Sequence, residues 1–139
     1  MADLSITAAN VSGADGEWSR VELVAGATIT AGQICYMDTA NSNVAKLAQS
    51  DGTALEGTVK GIAMHGAASG QPIILAVSGD IDLGATLTVG ETYVLSQTAG
   101  GVAPIGDLAS GDYVSHIGIG TAADNLKISI VNSAVEVPV

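Results

Sequence analysis

One stretch of this chain occurs twice, and the repetition limits its possible folds more than any other feature. Residues 26–47 read GATITAGQICYMDTANSNVAKL and residues 84–105 read GATLTVGETYVLSQTAGGVAPI, aligned without a gap at an offset of 58. Gly26, Ala27, Thr28, Thr30, Gly32, Val44 and Ala45 recur as Gly84, Ala85, Thr86, Thr88, Gly90, Val102 and Ala103. The echo continues more loosely. Lys60–Ala63 is answered by Ile117–Gly120, and Ala67-Ala68 before PIILAV by Ala122-Ala123 before LKISIV. Two copies are too few for a solenoid, whose units need a stack of neighbours to bury their faces. The expectation is one domain over residues 17–139, with repeat halves 26–82 and 84–135 packed on each other.

Within each copy the pattern is that of short strands. Glu17 to Ala25 alternates, with Ser19, Val21 and Leu23 on one side and Trp18, Arg20 and Glu22 on the other. A GAT-x-T-x-G corner leads to a strand over Gln33–Asp38, the loop TANSN, and a strand over Val44–Ala48. Gln49–Gly57 offers one helical turn, capped by Ser50 or Asp51. Strands come next at Thr58–His65 and Pro72–Ser78, the second apolar on both faces and therefore central. Gly79-Asp80 is expected to turn into the second copy. Tyr113–Ile119 and Leu126–Val131 close it, and Val135, Val137 and Val139 suggest an edge strand that tolerates Pro138. The fold class expected is all-β: a single compact sandwich or barrel of short antiparallel strands with pseudo-duplicated halves and an extended N-terminal arm.

Residues 1–16 form that arm and a flexible joint. Leu4–Thr7 can pair as a strand, whereas VSGADG is turn chemistry throughout. Two readings stand: a frayed terminus, or an arm that orders on a neighbouring subunit by strand addition. The second makes Ala2, Asp3, Leu4, Ser5, Ile6, Thr7, Ala8 and Ala9 candidate contact residues. Trp18 and Arg20 are a further candidate pair, because these residue types are enriched at interface hot spots. The alternative for Trp18 is a buried end-cap.

Charge and composition narrow the function classes. Net charge is −10 with four basic residues, Arg20, Lys46, Lys60 and Lys127, which do not cluster. Phosphate neutralisation needs clustered cations, so no nucleic-acid partner is expected, nor an anionic membrane surface. The charge suits solubility and a partner with complementary basic patches. Without Phe, the core must be aliphatic. Cys35 is alone, which rules out an intrachain disulfide and fits assembly in a reducing cytoplasm.

The residues suggest no catalytic, metal or cofactor site. Gly118–Ala123 fits G-x-G-x-x-A after a strand, but the residues after it read as strand, not the helix a dinucleotide site requires. Asp80 with Asp82, and Asp38 with Asn41 and Asn43, offer too few oxygens for calcium. His65, His116 and Cys35 lack zinc-site spacing. Cys35 alternates with core residues and reads as a small hydrophobe rather than a nucleophile.

Gly61-Ile62-Ala63, Gly70-Gln71, the strand Ile73–Val77, Ser78–Ile81, Gly90–Ser96 and the Gly100–Pro104 turn together resemble small capsid decoration proteins of tailed bacteriophages. The likeness spans roughly residues 25–131 and rests on turn glycines and strand pattern. It implies a non-enzymatic cement protein on the outer capsid surface of the virion, assembled in the host cytoplasm. It also implies a homotrimer whose partner is the major capsid protein, holding neighbouring shell subunits against internal pressure. The other function class considered is a tail, fibre or virion-surface adhesion module that binds sugars, for which Tyr36, Tyr93, Tyr113 and Trp18 are the available aromatic platforms.

Overall fold

Nine strands form one antiparallel sheet curled into a half-barrel in the computed structural model, which describes residues 3–13 and 18–137. They are β1 (Trp18–Val24), β2 (Ile34–Asp38), β3 (Val44–Leu47), β4 (Gly61–Ala63), β5 (Pro72–Asp82), β6 (Thr92–Leu95), β7 (Val102–Pro104), β8 (Tyr113–Gly120) and β9 (Asn125–Glu136). The order β3-β2-β4-β5-β9-β8-β6-β7 is a palindrome of the two copies, centred on the β5–β9 pair, with β1 added to β5.

The repeat is visible bond by bond at the corners. The Gly32 amide donates to Ala63 O and the Gly90 amide to Gly120 O, both at 2.7 Å. Gln33 N donates to Thr30 O, and Glu91 N to Thr88 O. Each corner presents an amide that must find an acceptor. Thr30 N uses the Gln33 side chain, and Thr88 N uses the Tyr93 hydroxyl, both at 2.8 Å.

Packing explains where the copies diverge. Ala25, Ile29 and Cys35 of the first copy lie in a small cluster that Val21 and Leu23 of β1 cover. Their counterparts Leu83, Leu87 and Tyr93 belong to the main core. A cross-strand row gives the converse. Ile34, Ile62 and Ala76 pair across β2, β4 and β5 and are fully buried. The counterparts of Ile34 and Ile62, Thr92 and Ile119, pair across β6 and β8, but Ile119 is exposed, as is Lys127, which pairs with it from β9. Burial, and with it residue type, has diverged between the halves.

β5 is the spine. Leu75 has Val21 on one side and Ala63 on the other, while Gly79 has Trp18 and Ile128. β1 therefore holds one edge of β5, and β4 and β9 share the other in succession. The bend between them falls at a bulge opposite Ser19/Arg20 and at Gly79, whose φ of +98° suits glycine. This revises the expected turn at Gly79-Asp80, because the strand continues to Asp82 under pairing from β9. Conversely, only Gly61–Ala63 of the expected Thr58–His65 strand is regular. At Val59 the amide and carbonyl pair instead with the Asn132 side chain, at 2.8 and 2.9 Å.

Two further expectations shift. The helical turn is capped by Thr53 and not by Ser50 or Asp51. Thr53 Oγ1 accepts from Glu56 N while Glu56 Oε1 accepts from Thr53 N, a reciprocal capping box. The last two strands merge into β9, whose pairing with β8 shifts register twice, once between Val131 and Ile128 and once between Glu136 and Asn132, where Ala134 has φ +59°. Pro138 and Val139 of the expected edge strand lie outside the described residues, as does Glu17.

The two hairpins meet where Ile34 N donates to Gly100 O, Gly100 N to Ala48 O, and Ser50 N to Ser96 O, at 2.7–2.9 Å. Gly100 and Ser96 of the second copy thus close onto the first.

Candidate interaction surface

The arm lies on the chain's own body. Leu4 N donates to Val102 O at 2.8 Å, covering the β7 edge, and Thr7 N donates to Gly84 O at 2.7 Å. After a 3-10 turn at Ala8–Asn10, Ser12 exchanges two backbone bonds with Asp82, at 3.0 and 2.8 Å. Alternation sets which side faces in. Leu4 and Ile6 pack against the main core, while Ser5, Thr7 and Ala9 are exposed and Ala8 is half-buried. Asp3 anchors the start, its Oδ1 accepting from Ser96 Oγ at 2.5 Å. Ala2 lies outside the described residues, as do residues 14–17, which include the last three of the six in the expected VSGADG joint. The arm that sequence alone left free to fray or to order on a neighbour is therefore seated in cis. The physical reason is its two-faced pattern, which lets Leu4 and Ile6 leave water on the nearest apolar surface.

The seat is cut to fit. A Cβ on Gly32 would lie 2.5 Å from Ile6 Cγ2, one on Gly84 2.5 Å from Thr7 O, and one on Gly101 2.9 Å from Asp3 Oδ2. None of these receptor residues is singled out by sequence reasoning as a seat for the arm. The signal was present in Gly84, the counterpart of Gly26, whose Cβ would instead strike Val44 of its own copy. Nothing in the sequence names the arm as its neighbour.

Trp18 and Arg20 stack, with Arg20 Cζ 5.1 Å from the indole centroid. Trp18 is half-buried against the main core and Arg20 is exposed. The indole belongs to the cross-strand row Trp18–Gly79–Ile128–Gly118–Tyr93, and Ile128 and Tyr93 lie in that core. That arrangement is an end-cap with a cation laid over its ring.

The acidic candidates are engaged locally. Asp38 Oδ2 accepts from Asn41 Nδ2 at 2.8 Å and from Lys46 Nζ at 2.9 Å. Those bonds, Asn41's first, hold its carboxyl below the usual range. Asp82 Oδ1 accepts from Gly84 N, and Asp80 Oδ1 from Asn125 Nδ2 at 3.5 Å. A cavity of about 130 Å³ beside the arm is lined by Asp3, Ser96, Gln97, Asp107 and Asp112 among others. The Asp112 carboxylate accepts from Gln97 Nε2 and Ala109 N. Among the described residues no group of three or more His, Cys, Asp or Glu is placed to hold a metal. His65 Nε2 accepts from Ile74 N, and His116 Nδ1 bonds Ser129 O. Cys35 is buried, and desolvation pushes its thiol up to about 12. Gly118–Ala123 ends β8 and runs into β9 with no helix between. Among the described residues no helix is long and apolar enough to cross a membrane.

No protein-family model matches the sequence, and no curated protein matches it.

Proposed function

We propose that the chain is a capsid decoration protein of a tailed bacteriophage. In this reading it is a non-enzymatic binding module on the outer surface of the head that cements neighbouring major capsid subunits. The observation that carries this reading is where the resembling segments fall. Gly61-Ile62-Ala63 is β4, Gly70-Gln71 lies in the turn before β5, Ile73–Val77 and Ser78–Ile81 lie in β5, and Gly90–Ser96 with Gly100–Pro104 carries the second hairpin. These are the elements that bend and close the half-barrel, so the likeness concerns the body's shape. A rigid, sheet-built body is what a cement needs, since its seat must not yield as the shell is loaded. The charge of −10 supports a partner surface with basic patches. The adhesion alternative has less to build on, because Tyr36 and Tyr93 are buried in the core and offer no platform to a sugar.

The contact surface in this proposal is the outward side of the arm, Ser5, Thr7 and Ala9, together with Arg20. Head binding by variants that leave the inward side of the arm intact tests it. Ser5→Lys with Thr7→Lys, which sets cations against the basic patches expected of the partner, should lower occupancy on heads at least tenfold with no change in Tm, and Arg20→Ala, which leaves the Trp18 indole in place, should lower it further. Full occupancy with both variants would remove this surface from the proposal.

A further inference from the structure

We propose that the arm's groove is a receptor in trans, and that two or more copies associate by exchanging residues 3–12. It rests on the proposed function only for the setting in which copies crowd together.

Three observations carry it. Among the described residues, every backbone hydrogen bond that the arm makes outside itself goes to Asp82, Gly84 or Val102, and none to β1, the strand that comes after it. Residues 3–12 are thus bonded to the body independently of β1, and Gly13, which packs on Trp18, begins the Gly-Ala-Asp-Gly sequence that joins them to it. The groove is also specific. Gly32, Gly84 and Gly101 leave free the space that a Cβ would take from the Ile6 γ-methyl, the Thr7 carbonyl and the Asp3 carboxylate. Finally, the Ser96 hydroxyl and the Val102 carbonyl end the groove with a donor and an acceptor that match Asp3 and the Leu4 amide. A second copy carries that same pattern, so it is the occupant to which the groove commits.

The energetics favour neither arrangement by contact, because an exchanged arm makes the same bonds and buries the same side chains. What differs is the linker. In cis the body sees its own arm at an effective concentration on the order of millimolar. Exchange therefore grows in as copies approach that density, a low-cost route to association.

The test uses purified full-length chain. Sedimentation of the unmodified protein across a concentration series should show association in the upper micromolar to millimolar range. The path is read by mixing a full-length Asp3→Cys chain with a full-length Ser96→Cys chain under mild oxidation. Buried Cys35 does not compete. A disulfide-linked pair containing one of each chain, rising with concentration, is the expected result. A monomer at every concentration overturns the proposal. So does association in which the Asp3→Cys and Ser96→Cys chains form no mixed disulfide, since copies then meet through another surface. Either failure leaves binding to heads untouched.

Discussion

At the scale of single residues the account rests on groups whose surroundings fix their state. The Asp38 carboxylate accepts from Asn41, Lys46 and Ala40, and its pKa is lowered in the folded chain. A carboxylate depressed on folding adds stability that is present above its unfolded pKa of about 4 and is lost as pH falls through the folded value. Asp38→Asn should therefore lower Tm at pH 7 and converge on the unmodified chain as pH falls below about 4 and through the folded value. A gap that stays equal across that range would mean the Asp38 charge contributes nothing. Cys35 gives a second check. With no exposed surface and a thiol pushed up to about 12, it should resist a thiol reagent at pH 8 in the folded protein and react at once in denaturant. Rapid labelling of folded chain would contradict its burial.

At the scale of elements, the arm is an irregular segment held on the body by the Leu4, Thr7 and Ser12 backbone bonds. Ile6→Ala removes apolar contact with the core and Gly32, and should cost about 1–2 kcal/mol of stability. Gly84→Ala, at φ +74° and with its Cβ against Thr7 O, should release the arm from its seat at a similar cost. Proteolysis within residues 3–12, rapid in both variants and slow in the parent, reads that release. Most strands were legible in the sequence, because the gapless repeat marked two hairpins and alternation marked their faces. What alternation hides is a strand that passes through a glycine. Gly79-Asp80 has turn chemistry, yet β9 pairs across it and β5 continues. Burial differences between equivalent positions were equally hidden, since Ile62 in β4 and Ile119 in β8 are the same residue at the same place in the repeat and only the first is covered. The arm's residues could be named from sequence as a pairing strand, but not their acceptor. Leu4 meets Val102 and Thr7 meets Gly84 only once the second hairpin is in place.

At the scale of the whole molecule, pseudo-duplication gives a small chain a wide sheet whose core is aliphatic apart from Tyr36 and Tyr93. Two hairpins cross-linked at Gly100 and Ser96, with β5 and β9 paired between them, leave few elements free to move alone. That stiffness, with a seated arm along one edge, is what the decoration reading uses. The most direct measurement is co-sedimentation of the purified chain with expanded phage heads that lack it, followed by imaging of the bound heads. The account predicts saturable binding at three-fold or quasi-three-fold positions of the outer surface and heads that resist heat better when loaded. Absence of binding to heads, with the chain located on tails or fibres of the virion instead, would contradict it and favour an adhesion module.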